Sequence, residues 1–390
     1  MNPTPLKTPE SVMHHALQLA AQGAGFVEPN PMVGAVVVDD NLQVLGAGYH
    51  QRFGGPHAEV HALRQAGERA RGATLYVTLE PCCHQGKTPP CAAAILAAGI
   101  KRVVVAALDP FPAVAGQGVA QLRAAGVSVE TGLLEQEAVE LTAPFRTLIQ
   151  HQRPFVIAKW AMSLDGKLAA HTGISKWISN AASRTIVHQL RGRMDGILVG
   201  IGTVLADDPL LTARPAGPRL ASRIVLDSQA RLPLTSQLVR TAAQTPVLVF
   251  VTPTAPTERT VALQEAGVVV IPVAANVRGH PDLAECLREL GRRSLTNLLV
   301  EGGSAVLGEF FDRQSIDEVQ IFIAPLLIGG QGASSPIGGL GLTSPKFATR
   351  LADLQVANIE GDTFLRGRFK HQAAPVNGQV PCVPSVPSVP

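Results

Sequence analysis

Apolar and polar positions alternate with two different periods over the first 130 residues, and the period switches at Gly and Pro. TPESVMHHALQLAAQG (8–23) opens on Thr-Pro, carries an acid in its first turn and ends on Gly, which predicts a helix. MVGAVVVDDNLQVLGAGYH (32–50) reads as two strands joined by an Asp-Asp-Asn turn. HAEVHALRQAGERA (57–70) has a helical pattern, TLYVTLE (74–80) reads as a strand, and PPCAAAILAAGI (89–100) is a helix opened by proline and closed by glycine. KRVVVAALDP (101–110), GQGVAQLRAAG (116–126) and VSVETG (127–132) continue as strand, helix and strand. Strands alternating with helices predict a three-layer α/β domain.

QEAVELTAPFRTLIQHQRP (136–154) predicts a helical connection ending at Pro154. A second alternation follows: FVIAKWAMS (155–163), a helix over 179–193, then DGILVGIGTV (195–204), SRIVLD (222–227), TPVLVFVT (245–252), GVVVIPV (267–273), NLLVEGG (297–303) and DEVQIFIAPLLIG (317–329). These segments are rich in β-branched residues and predict a second α/β domain. No internal repeat is visible. The tail VPCVPSVPSVP (380–390) is Pro/Ser/Val low complexity, expected to be disordered, so Cys382 is not read as functional. The expected division is 1–150, 151–372 and a tail over 373–390.

Composition excludes several classes. Charged residues are 16% and apolar residues 46% of the 390, so most of the chain can bury a core. A net charge of +3 and 4% aromatics, without a Lys/Arg stripe, argue against a nucleic-acid partner. No run approaches the ~18 apolar residues of a membrane span. The N-terminus lacks a basic region followed by an apolar one, so a cytoplasmic enzyme is expected. Five cysteines, mostly clustered, suggest metal or catalysis rather than a disulfide framework.

Three of those cysteines fall in PCCHQGKTPPC (81–91). The stretch is either a metal site or a Pro-rich turn with buried thiols. HAE (57–59) decides between them, because zinc nucleobase deaminases pair H-x-E with a later P-C-x-x-C. His57, Cys82 and Cys91 are the expected ligands, each beside a strand–helix junction, with a fourth position left open for water. Glu59 is the expected proton shuttle. Cys91 lies nine residues after Cys82 rather than three, so the intervening loop must return, which Pro89 and Pro90 favour. Cys83 and His84 are rival ligands. Asn30 offers an amide suited to a pyrimidine edge, and Lys87 a cation for a phosphate; the plainer alternatives are a turn residue and a solvated lysine.

NPMVGAVVV (30–38), HAEVHAL (57–63), TLEPCCHQGKTPPC (78–91) and Asp109-Pro110 together closely resemble the deaminase half of the bifunctional riboflavin-biosynthesis deaminase/reductase. The resemblance runs over roughly residues 8 to 370, and the long GKTPPC insert is a feature of that family. It implies a cytidine-deaminase-like domain over 1–150, with zinc on His57, Cys82 and Cys91, and Glu59 moving protons. Asn30, His50 and Lys87 would line its substrate pocket. Cys83 stands where many members have Ser, and it stays a rival thiol.

In the second half, EGGSAVLGEF (301–310) runs from a strand through two glycines into a Ser-started helix, a form that can hold a phosphate on free N–H groups. GIGTVLADDP (200–209) is not a dinucleotide fingerprint, since Leu205 stands at the third glycine position. With KWAMSLDGKLAAHTGISKWIS (159–179), these segments resemble the reductase half of the same family, which implies a dihydrofolate-reductase-like fold and NADPH. By that resemblance Ala161, Trp177, Thr203, Asp207, Ser228, Gly303, Ser304, Ala305, Val306, Leu307, Gly308 and Glu309 contact NADPH. Lys159, Ser175, Arg191, Leu211, Arg214 and Glu301 contact a phosphoribosyl pyrimidine substrate. A guanidinium at Arg191 or Arg214 suits the phosphate. Asp207 and Lys159 are candidates for handling the proton, with Asp208 as rival.

The implied reactions are hydrolytic deamination of 2,5-diamino-6-(ribosylamino)pyrimidin-4-one 5′-phosphate and then reduction of the ribosyl chain of 5-amino-6-(5-phosphoribosylamino)uracil to ribityl. A homo-oligomer, with no nucleic-acid or membrane partner, is expected. The competing readings are a cytidine or tRNA-adenosine deaminase fused to an unrelated domain, and a closed, non-catalytic zinc module.

Overall fold

Alternate residues of the central strands in the first sheet enter two different cores. The computed structural model describes residues 6–84, 89–112, 114–348 and 350–369. Its first sheet contains β1 (Gly34–Val38), β2 (Val44–Tyr49), β3 (Thr74–Leu79), β4 (Arg102–Ala107) and β5 (Ser128–Thr131), in the order β2-β1-β3-β4-β5. The β1 pairings are antiparallel, whereas β3, β4 and β5 run parallel. Ala35, Val37, Leu75, Val77, Val103 and Val105 meet α2 (Ala58–Ala66), α3 (Cys91–Ala97) and α4 (Gln117–Ala124) on one face. Val36, Val38, Tyr76, Val104 and Ala106 meet α1 (Pro9–Ala21) and α5 (Glu135–Leu141) on the other. This period-2 division of all-apolar strands is what a sheet covered on both faces requires. Helix α1 lies so close to β1 that a Cβ on Gly34 would stand 2.0 Å from the Ala16 carbonyl oxygen.

Two predicted helices are interrupted for identifiable reasons. The 57–70 helix ends as α2 at Ala66, where Gly67 turns to φ 58 and a 3₁₀ turn (Gly67–Ala70) follows. The 136–154 connection is two helices, α5 and α6 (Ala143–His151), which meet at Thr142. Pro144 has no N–H to continue α5, and the Thr142 hydroxyl donates to the Ala138 carbonyl at 2.7 Å.

The second sheet is built from β6 (Phe155–Ser163), β7 (Gly196–Gly200), β8 (Ser222–Leu226), β9 (Val247–Val251), β10 (Val269–Pro272), β11 (Asn297–Val300), β12 (Glu318–Ala324), β13 (Ala352–Ile359) and β14 (Asp362–Arg368). Their order is β10-β9-β8-β7-β11-β6-β12-β14-β13. The helices are α7 (Ala181–Arg191), α8 (Ile201–Asp207), α9 (Gln237–Arg240), α10 (Thr257–Glu265), α11 (Leu283–Arg292) and α12 (Ser304–Asp312). The apolar run 195–204 changes state at Gly200, from β7 into α8. The hairpin β13–β14 was not expected from the sequence. Its turn residues, Glu360 and Gly361, both have positive φ (48 and 99), as a tight hairpin turn demands. β11 inserts between β6 and β7, so three parallel strands end side by side, and open α/β sheets place ligand crevices at such carboxyl ends. No helix among the described residues is long and apolar enough to cross a membrane.

Glu318 on β12 anchors the antiparallel edge. Arg366 meets it with two hydrogen bonds of 2.9 Å, and Arg368 adds one of 3.2 Å. Burial by itself would raise the carboxyl pKa; the Arg366 hydrogen bond and charge, followed by Gln320 and Arg368, outweigh it and hold the group below its usual 4.5. A depressed folded value means that Glu318 stabilises the fold above pH 4.5 and that this contribution is lost as pH falls through the folded value. Glu318→Gln is therefore expected to lower stability near neutral pH and to flatten the acid limb of a denaturation–pH profile. An unchanged acid limb would contradict this role.

Candidate active site

His57 occupies the N-cap of α2 with extended backbone, Cys82 lies three residues beyond β3, and Cys91 opens α3 after Pro90. The loop between the cysteines returns as the proline pair suggests: the Ala92 N–H donates to the Cys82 carbonyl at 3.1 Å and the Cys91 N–H to the Cys82 sulfur at 3.3 Å. His57 Nδ1 then stands 3.6 Å from Cys82 Sγ and 3.3 Å from Cys91 Sγ. A tetrahedral ion with ~2.3 Å sulfur and ~2.0 Å nitrogen bonds has ligand–ligand edges of roughly 3.5 Å, so the donor set fits zinc. Hydrogen bonding from Cys91 and then His57 pulls the Cys82 thiol well below the usual thiol range, against the effect of burial. Among the described residues these three form the one cluster with metal-ligand spacing. Cys83 is outside it, and the His84 ring lies against Phe111 at 6.1 Å.

Glu59, two residues along, is 3% exposed, and its Oε2 has no hydrogen-bond partner among the described residues. Burial pushes its carboxyl up to about 6. It faces a cleft of about 330 Å³ lined also by Asn30, His50, His57, Cys82 and Asp109. His50 Nδ1 lies 3.1 Å from the Pro56 carbonyl, which can only accept, so that nitrogen carries the proton and Nε2 accepts from the Asn30 amide at 3.4 Å. Lys87 lies outside the described residues, as do Cys382 and the 373–390 tail.

Three features of this cleft escaped the sequence reading. Phe145 and Ile149 of α6 line it. Glu80 is buried and braces the loop carrying Asp109: it accepts from the N–H groups of Asp109 (3.3 Å), Gly116 (2.9 Å) and Val119 (3.0 Å). Asp109 belongs to a motif noted above, but its position in the cleft, where burial pushes its carboxyl up to about 6, was not foreseen.

The second constellation sits at the carboxyl end of β11, beside the middle of β6. Glu301 accepts from Arg191 Nε at 2.7 Å and Nη2 at 2.8 Å, and Lys159 Nζ approaches its Oε2 to 3.0 Å. Burial would raise the Glu301 pKa; Lys159 and Arg191 overcome that and hold the carboxylate well below the usual range. Arg191 is thus committed to Glu301, and it also reaches the Thr212 carbonyl at 3.4 Å. Arg214, on the same loop as Thr212, is exposed. Leu211 is buried with φ 53, its side chain in the core.

Glycines let α8 and α12 start side by side. A Cβ on Gly200 or Gly302 would meet Val306 at 2.7 or 2.6 Å, and the Cβ position of Gly303 is 3.8 Å from the Thr203 hydroxyl. Gly303 is therefore close to Thr203, whereas the Ser304 hydroxyl lies beside Gly338. Leu307 is buried in the core and Gly308 packs on Gly338, while Glu309 bonds Arg313 at 3.1 Å and Asn276 at 3.4 Å. Asp207 ends α8 exposed; Asp208 instead accepts from the Gln237 N–H at 2.8 Å, a turn role. Ala161 and Ser175 are half-buried, Ser228 lies 3.3 Å from the His280 ring, and Trp177 is exposed beneath the Arg184 guanidinium.

The sequence model of the cytidine and deoxycytidylate deaminase zinc-binding region matches residues 6–107. That of the RibD C-terminal domain matches 154–365, more than half of the chain. The chain belongs to the RibD family. The riboflavin biosynthesis protein RibD of Aquifex aeolicus is 44% identical over 354 residues, covering 90% of this chain and 96% of that one. The structure of Acinetobacter baumannii RibD has a TM-score of 0.81 at 37% identity, over 93% of this chain and 99% of its own. A Thermotoga maritima structure described as a diaminohydroxyphosphoribosylaminopyrimidine deaminase and 5-amino-6-(5-phosphoribosylamino)uracil reductase has a TM-score of 0.79 at 37% identity, over 92% and 98% of the two chains. This RibD-family chain is a bifunctional deaminase/reductase of riboflavin biosynthesis, with a cytidine-deaminase-like half and a RibD reductase half.

Proposed function

We propose that residues 1–150 form a zinc deaminase acting on 2,5-diamino-6-(ribosylamino)pyrimidin-4-one 5′-phosphate and that residues 151–372 reduce the ribosyl chain of the resulting aminouracil with NADPH. The observation that carries this reading is the His57–Cys82–Cys91 triangle, of which His57 and Cys82 line the same cleft as Glu59, a buried carboxylate whose Oε2 has no hydrogen-bond partner among the described residues. A closed structural zinc module has no use for such a carboxylate or for an open cleft beside it.

Zinc on this triangle supplies the Lewis acidity that makes water a competent nucleophile near neutral pH. Glu59 takes a proton as water adds at the amine-bearing ring carbon and returns one to the departing nitrogen, so water is consumed and ammonia leaves. Asn30, held by His50, grips the pyrimidine edge, and Lys87 is assigned to the phosphate.

NADPH, when bound, supplies the hydride for the opened ribosyl carbon. The Cβ-free surface at Gly302 and Gly303, beside Thr203 and the start of α12, suits its phosphates. Ala161, Trp177, Asp207 and Ser228 are assigned to the same cofactor. Lys159 stands close enough to Glu301 for the pair to orient a polar substrate and pass a proton to the reduced centre. Because Arg191 is already engaged, Arg214 is the cation assigned to the substrate phosphate. Assembly as a homo-oligomer is part of the proposal and rests on the resemblance alone.

A coupled assay tests the whole reading. With the diaminopyrimidine phosphate as substrate, NADPH oxidation should stop when zinc is stripped by a chelator and resume when the deaminated intermediate is supplied. Oxidation that continues without zinc would refute the deaminase assignment; no oxidation with the intermediate would refute the reductase one.

A further inference from the structure

We propose that Arg219, a residue of the reductase half, positions Asn30 in the deaminase cleft. The inference rests on the assignment of Asn30 to substrate binding. Asn30 ends a tight segment, 25–30, held by two short bonds: the Gly25 N–H donates to Glu28 Oε1 at 2.9 Å, and the Asn30 N–H to the Val27 carbonyl at 2.9 Å. The same segment accepts the Phe53 N–H at the Phe26 carbonyl (3.0 Å), and Phe53 lines the cleft. Its geometry therefore sets one wall of the deaminase site.

The second oxygen of the Glu28 carboxylate is buried, and no group of its own half bonds it among the described residues. The cation facing it is Arg219, whose Nη1 lies 3.7 Å from Glu28 Oε2 and 3.4 Å from the Glu28 carbonyl. Arg219 is itself anchored by Asp195 through Nη2. Asp195 is fixed in turn, its other oxygen accepting from the Thr296 N–H (2.8 Å), the Thr296 hydroxyl (2.6 Å) and the Asn297 N–H (3.0 Å) at the start of β11. Close packing at the same place, with a Cβ on Gly25 only 2.8 Å from Pro218, keeps the two halves in register. A guanidinium can serve both carboxylates at once, because its donors point in several fixed directions; an ammonium cannot do so as well. Asp195 is thus the fixed support, Arg219 the strut and Glu28 the lever whose setting determines where Asn30 presents its amide.

The test uses the full-length, zinc-loaded enzyme and follows ammonia release from the diaminopyrimidine phosphate. Arg219→Ala should raise the deaminase KM about tenfold with kcat almost unchanged, the pattern for loss of an interaction made equally in ground and transition states. Glu28→Gln keeps an acceptor for the Gly25 N–H but removes the charge facing Arg219; it should give the same KM rise and leave reduction of the deaminated intermediate unaltered. It also covers the case in which Arg219→Ala fails to fold. Asn30→Ala alone should raise KM at least as much, and the Arg219→Ala/Asn30→Ala pair should be no worse than Asn30→Ala. Multiplicative effects in the pair, or wild-type KM in both Arg219→Ala and Glu28→Gln, would overturn the positioning role. An unmoved KM in Asn30→Ala would instead show that Asn30 does not bind substrate, and the inference would fall with that assignment.

Discussion

Glu59→Gln is expected to abolish deamination while zinc stays bound. The amide has nearly the same shape as the carboxylate but cannot accept and return a proton, so kcat should fall about 10²–10⁴-fold. The upper part of that range is favoured by burial: Glu59 is 3% exposed, which keeps bulk water from replacing it as a base. The amide leaves His57, Cys82 and Cys91 in place, so metal content should remain near one zinc per chain. His57→Ala should behave differently, losing zinc and activity together, because it removes one of three donors. The reductase half, assayed with the deaminated intermediate, should be unaffected in both. Turnover within tenfold of wild type in a zinc-replete Glu59→Gln enzyme would show that another group moves the proton.

Glu301→Ala should be the most damaging change in the reductase half. It leaves the Lys159 ammonium and the Arg191 guanidinium, 13% and 14% exposed, facing each other without their shared anion. Removing one partner of a buried ionic cluster costs about 3–5 kcal/mol, because the charges that remain are neither hydrated nor paired. Reduction should be lost as well, since Arg191 also ties the Thr212 loop and would leave its position. The sign of the pH effect follows from the depressed carboxyl: its stabilisation is present above the usual glutamate range and is lost as pH falls through the folded value. Denaturant unfolding near neutral pH should therefore separate variant from wild type more than unfolding in acid. Equal unfolding midpoints near neutral pH would show that the cluster contributes nothing to the fold.

The legible parts of this protein are those coded by neighbouring residues. Apolar runs such as GAVVV and TLYVTL announce strands, Thr8-Pro9 and Gly23 bracket the first helix, and the candidate ligands His57 and Cys91 lie in short motifs at helix starts. Even the nine-residue separation of Cys82 and Cys91 is readable, because Pro89 and Pro90 direct the chain back into α3. The hairpin β13–β14 was missed since its strands are polar and its turn, Glu360-Gly361, is a weak turn signal.

What remained hidden depends on residues far apart in the chain. By itself the sequence pointed to His57, Cys82 and Cys91 as candidate ligands, with Cys83 and His84 as rivals, to Glu59 as the neighbouring acid, and to two sheets with helices between them, because motifs and alternation are coded by neighbouring residues. Only the tertiary structure decided that β11 enters between β6 and β7, bringing Glu301 to Lys159 and Arg191. It also decided that α6 closes the cleft with Phe145 and Ile149, and that Arg219 reaches Glu28 across 191 positions. Strand order and side-chain pairing over such separations are set by which apolar faces can be buried together and which charges must then be matched, and no local pattern encodes that outcome.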